Sequence, residues 1–182
     1  MSSQEFGIPT DPIPLAACLP LTPEREADLR LKVIQEAQKW IGTPYRQQAD
    51  ILGAGIDCSM LLVRAWVDSG TVQPFDPRPY PPNWHMNNDE ERYLHWMDKC
   101  ALEVEQPKAG DVVLFKFGRC FSHSGVLVNE TQMVHAWAAD GKCSQADLNE
   151  AWVRYLGKTM TLRPRKFFDV WAKIRQIAGG SV

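Results

Sequence analysis

The stretch ADILGAGIDCSM, residues 49–60, places Cys58 after two glycines and an aspartate. Asp57 is a helix-capping residue type, and Leu61, Leu62, Ala65 and Trp66 then recur at helical spacing up to Gly70. The pattern predicts a helix from about Cys58 to Ser69 with the cysteine in its first turn. A thiol there meets the positive end of the helix dipole and unpaired N–H groups. Both favour the thiolate, which is the reactive form of cysteine. Gly53 and Gly55 allow backbone to come close to a substrate. The competing reading is a buried cysteine that packs as a small hydrophobe.

A nucleophilic cysteine needs a histidine as base and a third group to orient that histidine. His123 opens a strand-like run, SGVLV (124–128), and His135 lies twelve residues further on in QMVHAW (132–137). If Asn129-Glu130-Thr131 connects the two as a hairpin, both imidazoles can fall on one face. His123 could then face the thiol while His135 supports its far ring nitrogen. A lone strand histidine is usually structural; the pair at hairpin spacing, taken with Cys58, points to catalysis. A rival reading groups Cys120, His123, His135 and Cys143 as a zinc set. Its first pair, C-x₂-H, has metal-like spacing, but H-x₇-C does not form a tight knuckle.

The remaining candidates carry weaker signals. Cys18 and Cys100 read as packing, and His85 and His95 as surface residues. Trp40 and Trp66 fit buried helix faces, whereas Trp84 and Trp137 stand where they could line a cleft. Arg154, Lys158, Arg163, Arg165 and Lys166 form a late basic stretch, read as a solvated face or a contact for an acidic partner or anionic wall polymer.

The elements that must position these groups follow from periodicity. Thr22 and Pro23 start a helix, with Ala27, Leu31, Ile34 and Ile41 at helical spacing up to Gly42. Another is predicted from Asn88, with Glu91 completing a capping box, to about Ala101. After Pro107 the period shortens, and 111–117, 124–128 and 132–137 read as strands. A short helix near 147–156 and a late strand near 168–174 complete the sheet. Helices first and an antiparallel sheet second is an α+β layout. Prolines punctuate residues 9–23, read as an extended arm (residues 1–21) laid over a single domain (22–182), or as a loose tail. They recur in PFDPRPYPP (74–82), read as a rigid surface loop.

Composition narrows the function. The chain has 182 residues, enough for one domain with an ordinary core. Twenty basic against 22 acidic residues give a net charge of −2, which argues against a nucleic-acid coat. No apolar stretch is long enough to span a membrane. The N-terminal segment lacks a basic start followed by an apolar run, so no export signal is expected. Five cysteines without a tight spacing framework read as free thiols.

With these residues in place, the chain resembles the NlpC-type cell-wall peptidases, which are papain-like cysteine peptidases. IGTPYRQ (41–47) is similar to the family's G-x-P-Y element, and GIDCSMLLVRAW (55–66) to its D-C-S-G-L-V helix. PKAGDVVLF (107–115) is similar to P-x-x-G-D-L-V-F, HSGVLV (123–128) to H-V-G-I-Y-I, and MVHAW (133–137) to M-I-H-A. The resemblance implies a papain-like fold with N-terminal helices on a central antiparallel sheet. It implies Cys58 as nucleophile, His123 as base and His135 as the orienting member. Tyr45 and the Cys58 backbone N–H would hold the oxyanion. Asp57 and Ser59 would contact the free amine of the peptide. The reaction implied is hydrolysis of peptidoglycan stem peptides between γ-D-glutamate and a diamino acid, with no metal or other cofactor.

Departures from the family pattern bear on specificity. Met60 replaces the glycine after D-C-S and is expected to narrow or reshape the cleft. The Y-x-x-G-G glycines are displaced to Gly53 and Gly55. An insert, residues 71–106, separates the nucleophile helix from the first strand. The short chain without an export signal resembles the phage or prophage tail-associated branch. That branch implies tail-protein partners, synthesis in the cytoplasm, and action on the wall from the virion or after lysis. The alternatives are an acyltransferase or toxin-like amidase on the same scaffold, and a non-catalytic tail-assembly or wall-binding module.

Overall fold

The computed structural model describes residues 14, 21–81, 90–148 and 163–179. Helix α1 (Pro23–Lys39) starts as the sequence predicts: Thr22 caps it, its side chain accepting the Arg25 N–H. The buried stripe is Arg30, Val33, Ile34 and Ala37, with Trp40 just past the end. Leu31 and Ile41 are exposed instead, because the helix stops before Ile41 and its packed face lies a residue away from the predicted one.

A two-stranded hairpin follows, β1 (Asp50–Ile51) with β2 (Gly55–Ile56). It turns through Gly53 at φ +75°, where a side chain would be strained. Helix α2 (Cys58–Asp68) buries Met60, Leu61, Leu62, Val63, Ala65 and Trp66. Helix α3 (Arg92–Cys100) buries Tyr93, Met97 and Cys100. Its N-cap is Glu91, but the Glu91 carboxylate accepts the Phe121 N–H at 2.9 Å rather than closing a capping box. Asn88 lies outside the described residues.

The main sheet has six strands: β3 (Leu102–Val104), β4 (Val112–Phe117), β5 (Cys120–Leu127), β6 (Gln132–Trp137), β7 (Lys142–Asp147) and β8 (Arg165–Asp169). Their order is β3-β8-β4-β5-β6-β7, and every neighbouring pair is antiparallel. The fold is α+β, as read from the sequence. The run VVLF in β4 is apolar without alternation because both faces are covered. Val112 and Leu114 join the helices in the larger core, and Val113 and Phe115 join Leu127, Met133 and Leu148 in a smaller one.

Several predicted elements shift. β5 starts at Cys120, so His123 sits inside the strand rather than at its head. β7 was not anticipated, since Lys142–Asp147 lacks the branched and aromatic residues that mark strands; it is stabilised by six-residue pairing to β6. The predicted late strand is two elements. β8 ends at Asp169, whose carboxylate accepts the Ala172 N–H at 2.9 Å and caps helix α4 (Val170–Ile177). The helix predicted near 147–156 falls mostly outside the described residues. The proline loop is only partly at the surface: Pro74, Pro79 and Pro81 are exposed, but Phe75, Pro77 and Tyr80 are buried. Pro14, the described residue of the N-terminal arm, bridges Val72. Arg163 stacks on Phe117, Arg165 on Phe167, and Lys166 pairs with Glu103 at 2.6 Å. That part of the basic stretch is therefore committed within the chain, while Arg154 and Lys158 lie outside the described residues.

Arg30 fastens α1 to the sheet. Its guanidinium donates to Asp111 at 2.7 Å, Asp169 at 2.9 Å, Glu26 at 2.8 Å and the Ala109 carbonyl at 3.0 Å. Its other side lies over the Trp171 ring at 4.1 Å. Gly110 passes so close that a Cβ there would stand 3.1 Å from Trp171 and 3.2 Å from Arg30. Burial, with Asp169 alongside, pushes the Asp111 carboxyl up to about 6, while Arg30 opposes the shift. Removing one member of a buried ion cluster leaves uncompensated charge. Arg30→Met is therefore expected to lower unfolding free energy by about 3–5 kcal/mol, measured by urea denaturation at pH 7.

Candidate active site

Asp57 begins the site. Its backbone is extended, and Oδ1 accepts the Met60 N–H at 2.9 Å, capping α2. Oδ2 accepts the Gln48 N–H at 2.6 Å and the Tyr80 hydroxyl at 2.7 Å. The carboxylate is 2% exposed. The resemblance gives Asp57 a contact to the peptide amine; here the Met60 and Gln48 N–H groups and the Tyr80 hydroxyl donate to its oxygens. Burial pushes its pKa up, and the Met60, Tyr80 and Gln48 donors oppose that shift.

Cys58 follows at the first position of α2, half-buried. Its sulfur lies 3.9 Å from the Ser122 carbonyl, and its own carbonyl accepts the Ser124 hydroxyl at 2.9 Å. The turn that carries Cys58 thus sits against the strand residues on either side of His123. The helix start does not lower the thiol pKa overall. Burial first, and the Asp57 charge second, push it up to about 12, against smaller opposing hydrogen bonds from Ser124 and Ser59. Ser59 is half-buried beside it in the same turn. Met60 does not line a cleft as expected: it is 1% exposed and packs in the core.

The two histidines meet. His123 Nε2 and His135 Nδ1 are 3.1 Å apart, both side chains buried. Register brings this about. β5 and β6 pair only at Val126↔Val134 and Leu127↔Met133, across a turn in which Asn129 Oδ1 accepts the Thr131 and Gln132 N–H groups. Beyond that short ladder the imidazoles meet by their side chains. A bulge at Ser122, where Phe121 pairs with Lys116 and His123 with Phe115, re-aims this stretch of β5. Gly125 leaves room, since a Cβ there would stand 2.7 Å from Met133 Sδ. His135 Nε2 lies 3.7 Å from Asp140 Oδ2. Trp137 flanks the pair, its ring centroid 6.4 Å from His123 and 6.1 Å from His135.

Tyr45 completes the predicted set. Its N–H donates to the Gly141 carbonyl at 2.8 Å, and it bridges Ile56 in parallel. Burial and the nearby Cys58 and Asp57 raise its phenol well above the ordinary range, so it stays a hydrogen-bond donor. The zinc alternative is taken apart by register. Cys143 pairs with Ala136, so it points to the opposite face of β6–β7 from His135 and joins the main core. Among the described residues, no three metal-ligating side chains converge. His95 is exposed as expected; Cys18, Trp84 and His85 lie outside the described residues.

Sequence reading missed Tyr80, Tyr93, Ser124 and Gln48. Tyr93 is buried, with its hydroxyl 2.8 Å from Ser124 Oγ. Both tyrosines come from the insert, whose contribution no local motif announces.

A family model described as NlpC/P60 family matches residues 42–161, well over half of the chain. The chain belongs to the NlpC/P60 family. A search of curated proteins returned no match. NlpC1 from Trichomonas vaginalis has a similar solved structure, at 16% identity over 78% of this chain and 44% of that one, with a TM-score of 0.51. RipB, a peptidoglycan hydrolase from Mycobacterium tuberculosis, aligns at 19% identity, over 85% and 70% of the two chains, with a TM-score of 0.49. RipD from the same organism, described as a non-catalytic NlpC/p60 domain protein adapted to peptidoglycan binding, aligns at 15% identity, over 78% and 97%, with a TM-score of 0.46. In this NlpC/P60 chain no helix among the described residues is long and apolar enough to cross a membrane.

Burial holds His135 neutral, lowering its pKa from 6.5 to about 4 against the pull of Asp140. The unfolded chain then binds the extra proton between those values, so this contribution is intact above about pH 6.5 and is lost as pH falls toward 4. Stability is expected to drop by about 2 kcal/mol from this residue between roughly pH 7 and pH 5. His135→Gln should flatten that slope in urea titrations at the two pH values, and an unchanged slope would contradict the assignment.

Proposed function

We propose that this protein is a cysteine endopeptidase that hydrolyses amide bonds in peptidoglycan stem peptides, between γ-D-glutamate and a diamino acid. The observation that carries the reading is the imidazole pair, His123 Nε2 to His135 Nδ1 at 3.1 Å, together with a half-buried Cys58 at a helix start whose sulfur lies 3.9 Å from the carbonyl of Ser122, the residue before His123. Family membership supports the substrate class, and the cell wall is then the place of action.

The proton logic runs from the far end of the pair. For His123 Nδ1 to accept a proton, Nε2 must carry one, and it donates to His135 Nδ1. His135 then bears its own proton on Nε2, on the side of Asp140. Because burial and Asp57 disfavour the thiolate, the thiol holds its proton at rest. The S–H proton passes to His123 Nδ1 as sulfur attacks the carbonyl carbon. The oxyanion takes the Cys58 N–H and the Tyr45 hydroxyl as donors. Collapse breaks the C–N bond, and His123 returns the proton to the leaving amine. Water, deprotonated by the same nitrogen, releases the acyl group from sulfur.

Defined stem-peptide fragments analysed by mass spectrometry test the reading. The wild type is expected to yield products split at the γ-D-glutamyl bond. Cys58→Ala should lose at least about 10³-fold in rate with its unfolding curve preserved. Equal cleavage by that variant would remove Cys58 as nucleophile.

A further inference from the structure

The insert between α2 and β4 grips the nucleophile's turn at two points. From one side, the Tyr80 hydroxyl donates to Asp57 Oδ2 at 2.7 Å. Tyr80 is itself held, because Gln48 Nε2 donates to its carbonyl at 2.9 Å. Gln48 sits at φ +60°, an uncommon conformation for a residue with a side chain. Arg78 keeps it there, donating to the Gln48 carbonyl at 2.9 Å while pairing with Asp50 at 3.0 Å and Asp76 at 2.7 Å. From the other side, the Ser124 hydroxyl gives its hydrogen to the Cys58 carbonyl, so the Tyr93 hydroxyl donates to Ser124 Oγ.

We infer that Tyr80 is a positioning residue: through its hydroxyl the insert holds the Asp57 carboxylate, and with it the turn that presents Cys58. The Asp57 carboxylate has one donor on α2 itself and two on other segments, so its orientation is set jointly by helix, hairpin and insert. The ionisable groups around it are Cys58 in the same turn, Tyr45 before the hairpin, and Tyr80 and Tyr93 from the insert. Without the Tyr80 hydroxyl, a buried carboxylate lacks a donor and the turn opens more often.

The test compares the full chain with Tyr80→Phe, which keeps the buried ring. Hydrogen exchange at the Gln48 and Met60 amides is expected to rise about ten- to a hundredfold, the factor for one lost hydrogen bond to a charged group. Exchange at Ala65 and Trp66, further along α2, should stay at the wild-type rate. Unchanged exchange at Gln48 and Met60 would overturn the inference, as would an equal rise along the whole helix. The kinetic arm rests on the peptidase reading: kcat should fall about tenfold with KM within about twofold. A wild type without turnover would sink that reading, and the exchange result would still decide the role of Tyr80. If Tyr80→Phe does not fold, Gln48→Gly replaces it, since glycine suits the positive φ and removes the Nε2 contact. Faster Met60 exchange in that variant upholds the grip; an unchanged rate refutes it.

Discussion

The site depends on one buried anion. A carboxylate taken out of water costs several kcal/mol unless donors replace its hydration. Asp57 finds three, from Met60 on its own helix, Gln48 before the hairpin and Tyr80 in the insert. Each donor also has a structural consequence. The Met60 contact starts α2 at Cys58, the Gln48 contact seats the hairpin against the helix, and the Tyr80 contact brings a long insertion into the middle of the domain. The same charge has an electrostatic cost to the chemistry, since with burial it keeps the thiol protonated. In the proposed reaction a base must therefore take that proton, the role proposed for the imidazole pair.

That pair is a product of sheet register. A short β5–β6 ladder, a bulge at Ser122 and a glycine against the Met133 side chain let two side chains twelve residues apart meet at hydrogen-bond distance. Pairing between β6 and β7 then turns Cys143 away from His135 and places Asp140 near its far nitrogen. Register also decides between two chemistries that composition allowed, because the zinc set would need Cys143 on the face where His135 lies. A second buried charge cluster, around Arg30, secures α1 against the sheet at Asp111 and Asp169 and so fixes the platform on which α2 rests.

Local signals were strong wherever a residue's role depends on its near neighbours. The cap at Asp57, the start of α1 at Thr22-Pro23 and the apolar strands β4 and β6 are all legible because capping, proline geometry and a run of branched and aromatic residues act within a few positions. The histidine pair was legible for a related reason, as hairpin spacing converts a sequence interval into a spatial one. Met60 was misread because a helix position says little about which side faces the core. β7 was missed because an edge strand can be held by its partner without strand-like residues, and the late apolar run FFDVWAKI was misread because it suits both strand and helix until Asp169 caps one of them.

By itself, then, the sequence determined the α+β class, the helix-borne cysteine, the paired histidines and the family pattern. Each of these rests on interactions between residues near one another along the chain. The tertiary structure alone decided that Asp57 is buried, that Met60 packs inward, and that the thiol rests protonated. It alone brought Tyr80 and Tyr93 to the turn that carries Cys58. Those outcomes turn on desolvation and on donors 23 to 31 residues away or more, and neither burial nor long-range contact has a local signature in the chain.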